Sequence, residues 1–312
     1  MTNDDDDTAD GAFSAACQDM PRLFLNKVAV IGVGLIGGSL ALALKRKGLA
    51  GTVIGIGRGV ENLMDAKRLG IVDGFTQDVA EGVRDADLVF VAVPVLKIGD
   101  AIRKALPSLK QGCVVTDAGS VKKAIIDEVE PLMPAGVHFV AGHPIAGTEN
   151  SGAQAAFPEL FIDRKCILTP TDNTDEKALE LVKSLWEEAG SRVIMMDAAV
   201  HDRVLAAVSH LPHMIAYSLV NTVADIEDAG VDALPYSAGG FRDFTRIASS
   251  SPEMWSDICV MNRDSIVKMI ENFQRRLDNL KGLIKNGDLN GLKEAFDRAK
   301  KVRDSLLEKS AK

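Results

Sequence analysis

The chain has 312 residues, 46% hydrophobic and 26% charged, enough apolar material for one large or two ordinary cores, which excludes global disorder and a fibre. The formal net charge of −8 is concentrated, because Asp4, Asp5, Asp6, Asp7, Asp10 and Asp19 fall among the first twenty residues without a Lys or Arg, leaving about −2 elsewhere. A nearly neutral body has no electrostatic footprint for nucleic acid or an anionic membrane, so ligands are expected in pockets.

Residues 1–22 lack periodicity and read as a disordered, solvated acidic tail. Residues 28–44 are apolar and follow Arg22 and Lys27, but the run is shorter than the ~20 residues of a spanning helix. Its Gly34, Gly37 and Gly38 fit strand, turn and helix. From Lys27 to Asp197, β-branched runs alternate with helical stretches, as in a parallel sheet covered on both faces. Strands are expected at 28–31, 52–56, 88–93, 114–117, 139–141, 166–168 and 193–196, within a doubly wound α/β domain over 23–197.

Beyond Asp197 the pattern is helix after helix. Asp197 can cap a helix carrying Val200, Val204, Ala207, Val208, Leu211, Ile215 and Leu219 on one face, with a kink or break at Pro212. Ile266, Ile270, Phe273, Leu277, Leu280 and Ile284 form a seam that needs a partner helix. After the Asn286-Gly287-Asp288 break, Leu292, Phe296, Ala299, Val302 and Leu306 line a last helix. An all-helical domain over 198–312 is expected, and its seam suggests a homodimer. Cys17, Cys113, Cys166 and Cys259 are scattered and form no C-x-x-C pair, which fits a reduced, cytoplasmic compartment and no metal site.

Gly32-x-Gly34-x-x-Gly37 follows the first strand and opens a helix, the context of a dinucleotide fingerprint. Gly32 would permit the turn, Gly34 the approach of pyrophosphate and Gly37 helix–strand packing, with phosphate on the free amides around Leu35 and Ile36. The second strand ends in Gly57-Arg58 instead of an acid. Arg58 could pair with a 2′-phosphate, which leans the cofactor toward NADP with NAD still open, or it could face solvent. Pro94, Ser120 and His143 stand at three further strand ends facing the same crevice. They bring a hydroxyl and an imidazole toward the nicotinamide, as removal of an alcohol proton during hydride transfer requires. His210 and His213 have metal-ligand spacing without a third ligand. Arg246 could pair with Asp243, and Trp255 taken alone reads as core.

Gly142-His143-Pro144-Ile145-Ala146-Gly147-Thr148-Glu149, with Asp117-Ala118-Gly119-Ser120-Val121-Lys122 before it and Ser209-His210-Leu211-Pro212-His213 after it, resembles the prephenate and arogenate dehydrogenases of tyrosine biosynthesis. Gly239-Gly240-Phe241-Arg242-Asp243-Phe244-Thr245-Arg246-Ile247-Ala248 and Met254-Trp255 extend the resemblance. It implies a Rossmann domain joined to a helical dimerisation domain, with oxidative decarboxylation of prephenate to 4-hydroxyphenylpyruvate in the cleft between them. His143 would accept the ring hydroxyl's proton, and Ser120 would contact that hydroxyl and the histidine. Arg246 would hold a carboxylate, His213 would line the pocket, and Thr148, Glu149 and Trp255 would complete it. An arogenate-using or dual-specificity enzyme is an equal fit to these residues. A non-catalytic nicotinamide sensor is disfavoured by the intact Ser120, His143 and Arg246, and a dehydrogenase using a helical-domain lysine by the histidine block. The chain's end near 312 leaves no room for an appended regulatory domain or fused mutase.

Overall fold

The computed structural model describes residues 23–148, 150–228 and 231–310. The acidic tail and Glu149 lie outside the described residues.

Six short strands form one parallel sheet: β1 (Leu25–Ile31), β2 (Ala50–Ile56), β3 (Gly74–Thr76), β4 (Leu88–Val91), β5 (Val114–Asp117) and β6 (His138–Val140). Their order is β3-β2-β1-β4-β5-β6, with every pairing parallel. The central strands are continuous Val/Ile/Leu runs because helices cover both faces. On one face α1 (Leu35–Lys47) and α6 (Glu176–Glu188) bury Leu40, Leu44, Val182 and Trp186 against Val28, Val30 and Phe90. On the other, α4 (Val95–Ala105) and α5 (Lys123–Val129) bury Ile98, Ile102, Ile125 and Val129. That second core also takes in Trp255, Ile258 and Ile266 from the helical half, so one packed interior crosses the junction.

The sheets differ from the sequence reading in several places. The runs at 166–168 and 193–196 do not extend the main sheet. They become β8 (Lys165–Leu168) and β9 (Arg192–Met195) of a separate sheet ordered β7-β8-β9. Its first member, β7 (Gly142–Pro144), runs antiparallel to β8 and carries His143 opposite Ile167, so the histidine sits inside a strand and not at a turn. Three residues that include Gly and Pro give no β signal of their own, and only pairing with β8 reveals them. Edge strand β3, Gly-Phe-Thr, is too short to carry a periodic signal and is defined by its pairing with β2, and β4 stops at Val91, two residues before the expected end.

Asp197 caps α7 (Ala198–Leu205), its Oδ1 accepting from Val200 N at 2.8 Å. Pro212 does not break the path. Having no N–H for the carbonyl four residues back, it enters the first turn of α8 (Leu211–Ala224), and the preceding residues Ala206–His210 widen into a π-helical turn. Two-residue strands, Glu227–Asp228 and Val231–Asp232, form a small ribbon within this half, which is therefore helical but not purely so. Next come α7's companions, numbered α9 (Gly239–Thr245), α10 (Pro252–Met261), α11 (Arg263–Lys285) and α12 (Leu289–Ser310). Within the expected seam Ile266 is buried, whereas Leu277 and Ile284 stand exposed, as do Phe296, Val302 and Leu306 of α12.

Candidate active site

The strand order reverses between β1 and β4, the switch point where open α/β sheets bind ligands. Gly32 follows β1 with φ +97°, and a Cβ there would run into the backbone carbonyl of Ala92, just past β4. A Cβ on Gly37 would stand 2.1 Å from Gly32 O, so neither position accepts a side chain. Gly34 differs, because a Cβ there would meet nothing within 4 Å. It is the N-cap of α1 and supplies no side-chain cap, and the first turn holds no acid. The amides around Leu35 and Ile36 are left for an anion. Pro94, exposed, opens α4 at the neighbouring strand end. Arg58 is exposed after β2 and its guanidinium has no ion-pair partner among the described residues, while its carbonyl accepts from Gln77 Nε2 at 2.5 Å. Turn, approach and helix terminus fit a dinucleotide.

His143 is 9% exposed, and its Nδ1 lies 2.8 Å from His201 Nε2. His201 Nδ1 in turn lies 2.8 Å from Asp202 Oδ1. Asp202 also accepts from Lys122 N at 2.8 Å and from Lys123 N at 3.0 Å. Lys122 is fully buried, paired with Asp117, and donates from Nζ to Gly142 O at 2.7 Å. Asp117 accepts from Gly142 N at 3.2 Å, so the end of β5 is strapped to the strand carrying His143. Burial above all, with smaller electrostatic contributions from the nearby His201, Lys122 and His210 side chains, holds the His143 imidazole well below its ordinary pKa. It is neutral near pH 7 and can accept a proton.

His143 opens into a cleft of about 810 Å³ whose far wall comes from the helical half. Thr148, His213, Arg246 and Trp255 line it. His213 stacks on Trp255 with ring centroids 3.7 Å apart, and its Nδ1 donates to Ser209 O at 2.9 Å. Burial lowers its pKa, the Ser209 bond opposes that, and nearby Arg246 lowers it further. Arg246 is exposed and forms no ion pair with Asp243, the alternative left open by its sequence. His210 is buried against Trp255, near Asn262 Nδ2 at 3.2 Å, and desolvation takes its pKa down to about 4. Among the described residues no three His, Cys, Asp or Glu side chains are grouped to hold a metal ion. Ser120 is half-buried in the loop after β5 and is not among the cleft-lining residues, and the partner on His143 Nδ1 is His201.

Three members of this site escaped sequence reasoning: His201, Asp202 and Arg164, the last a cleft-lining cation. A signal existed for the first two, since a His-Asp pair falls on the buried face of an otherwise apolar helix. The cleft's lower wall is also fixed to the cofactor loop. Phe157 N donates to Ser39 Oγ at 3.0 Å, and Asn62 joins Val33 O to Ala153 N at 2.7 and 2.8 Å.

Residues 40–195 match the family model of the prephenate dehydrogenase nucleotide-binding domain, and residues 197–298 match that of the prephenate dehydrogenase dimerization domain. The chain is 39% identical to cyclohexadienyl dehydrogenase of Zymomonas mobilis over 281 residues, 89% of this chain and 95% of that one. Among solved structures it resembles prephenate dehydrogenase from A. aeolicus in complex with hydroxyphenyl propionate and NAD+, with TM-score 0.87 and 38% identity, covering 91% of this chain and 99% of the other. It also resembles Synechocystis arogenate dehydrogenase, with TM-score 0.78 and 32% identity, covering 90% and 99%.

Proposed function

Because the chain belongs to the prephenate dehydrogenase family, we propose that it oxidatively decarboxylates prephenate to 4-hydroxyphenylpyruvate. The carrying observation is the shared cleft, in which His143 from a strand and Arg246, His213 and Trp255 from helices line one cavity. Gly32, Gly34, Leu35, Ile36, Gly37 and Pro94 would hold a nicotinamide dinucleotide, which would supply the hydride acceptor. The chain's own residues do the rest.

His143 Nε2 accepts the proton of the ring hydroxyl. Arg246 holds a carboxylate of the dianion, for which its planar fork is suited. His213 and Trp255 present a flat stacked wall to the ring, and Thr148 completes the cleft. Aromatisation on loss of carbon dioxide drives the step forward. Gly57-Arg58 supports a preference for NADP, since an exposed guanidinium with no ion pair among the described residues can meet a 2′-phosphate there; the NAD+ bound by the A. aeolicus relative keeps NAD as the rival.

A dual-specificity or arogenate-using enzyme is the second reading, favoured by the Zymomonas and Synechocystis relatives. The exposed apolar residues of α11 and α12, Leu277, Ile284, Phe296, Val302 and Leu306, support a homodimer through the helical domain, over 198–312, with the dinucleotide domain over 23–197. No described helix is long and apolar enough to cross a membrane.

The deciding experiment is an assay matrix of prephenate and arogenate, each with NAD and NADP, with and without tyrosine. Cofactor reduction with prephenate is the expected result. No reduction with either substrate would overturn the reading in favour of a non-catalytic sensor, reduction with arogenate alone would reassign the substrate, and a clear preference for NAD would defeat the Arg58 argument.

A further inference from the structure

Overall, the proposed reaction loses no proton. The prephenate dianion gives up carbon dioxide from its ring carboxylate and a hydride from its carbinol carbon, and what remains is a phenol carrying one carboxylate. The base must therefore take a proton and give it back. As hydride leaves to the nicotinamide, the substrate O–H bond breaks, an N–H bond forms at His143 Nε2, and the carbinol carbon becomes a carbonyl. When the ring carbon–carboxylate bond breaks, its electron pair enters the ring and reaches the oxygen. The N–H bond then breaks and the O–H bond re-forms.

Such a base needs a bare Nε2 at the start and a stable imidazolium in between. Both requirements are met behind the ring. Asp202 receives three donors, Lys122 N, Lys123 N and His201 Nδ1, at 2.8, 3.0 and 2.8 Å, so its oxygens act as acceptors. His201 Nδ1 must then carry the hydrogen, which leaves Nε2 of a neutral His201 as an acceptor. His143 Nδ1 donates to it across 2.8 Å, and the one remaining ring nitrogen of His143, Nε2, has a free lone pair. Reversing any bond of this chain would put a hydrogen on Nε2 and remove the base. The surroundings make the second requirement acute. Lys122 and His210 lie near His143 as cations or potential cations, and His213 lines the same cleft. Asp117 is occupied by Lys122, and Cys166, across the strand pairing, is held protonated by burial. The carboxylate reaching His143 is Asp202, through His201.

We propose that His201 and Asp202 are positioning residues that fix His143 with Nε2 bare and steady its imidazolium until the proton returns. The inference rests on the base reading of His143. Neither residue touches substrate, so KM should change little when they are altered.

The test uses three full-length variants. In Asp202→Asn the amide can donate to His201 Nδ1 and turn the chain around, with kcat expected to fall by roughly 10²–10⁴, the range of a general base, and KM to stay within a few fold. His201→Gln places an amide oxygen where it can still accept from His143 Nδ1, and should retain more activity than His201→Ala. Nitrogen-15 NMR of histidine-labelled protein reads the tautomer directly. Wild type should show His143 protonated at Nδ1, and Asp202→Asn should show it at Nε2. The proposal is overturned if wild-type His143 carries its hydrogen on Nε2, if Asp202→Asn keeps wild-type kcat, or if the Gln and Ala variants are equally impaired. His143→Asn, assayed alongside, separates the failures: its loss of kcat with an unaffected Asp202→Asn leaves the base reading intact and removes the relay.

Discussion

The two walls of the cleft are built on opposite principles. On the sheet side, His143 is buried and joined to His201, Asp202, Lys122 and Asp117 by a continuous set of hydrogen bonds that also ties β5 to β7. On the helical side Arg246 stands exposed without an ion pair among the described residues, next to a stacked His213–Trp255 pair. The difference follows from what each wall is asked to do. A base must hold its geometry and protonation state within tenths of an ångström and a few kcal/mol, so its partners are protein atoms. A carboxylate receptor must keep its donors unspent until substrate arrives, and water holds them in the meantime.

If the contrast is real, the largest effect belongs to the group at the end of the buried chain. Replacing His143 with Asn should lower kcat by roughly 10²–10⁴ with a smaller change in KM. Steady-state kinetics at saturating cofactor checks it, and a near-normal kcat would take His143 out of the base role.

Next comes the foundation of that wall. Lys122→Met keeps the stem but leaves the Asp117 carboxylate buried without its cation, which costs about 3–5 kcal/mol. Asp117 retains Gly119 N at 2.8 Å and Gly142 N at 3.2 Å, neutral donors that do not replace the ion pair. Urea unfolding should move by that amount, whereas a shift below about 0.5 kcal/mol, the scale of surface substitutions, would mean the strap between β5 and β7 is held by something else.

How much of this was visible beforehand divides along the same line. The glycine loop was legible because two of its three glycines answer a local steric demand: a Cβ at Gly32 or Gly37 would run into backbone, whereas one at Gly34 would meet nothing. His143, His213 and Arg246 were legible as members of recurring blocks. The relay was not, because His143 and His201 are 58 residues apart and meet only when α7 packs beside β7. Lys122 belongs to the Asp117-Ala118-Gly119-Ser120-Val121-Lys122 block, yet nothing local says that a lysine will be wholly buried. The second sheet was hidden for a related reason: β7 gains its extended shape from β8, not from Gly-His-Pro itself.

Acid should act on the buried histidines before the open wall. Desolvation depresses His143 and brings His210 from 6.5 to about 4, so as pH falls the unfolded chain takes up protons first. Their contribution to stability is complete above the unfolded value near 6.5 and is lost as pH falls toward the folded values. For His210 that window runs from 6.5 to about 4, a loss on the order of 3 kcal/mol. Thermal melts across the window should show it, and should show it reduced in His210→Gln. A variant as acid-sensitive as wild type would assign the effect to other groups.

The smallest of these effects lies on the open wall. Arg246→Ala removes a charged donor that is already solvated, so folding should be unaffected while substrate binding weakens by roughly 1.5–3 kcal/mol, the scale of a hydrogen bond to a charged group. The loss should appear in KM for prephenate and much less in that for the dinucleotide, whose glycine loop lies elsewhere. Arg246→Lys should recover only part of it, because an ammonium keeps the charge but cannot present the planar fork to both carboxylate oxygens. An unchanged KM for prephenate would show that the carboxylate is held by another cation of the cleft, and Arg164, which lines the same cavity from the opposite side, is then the residue to replace.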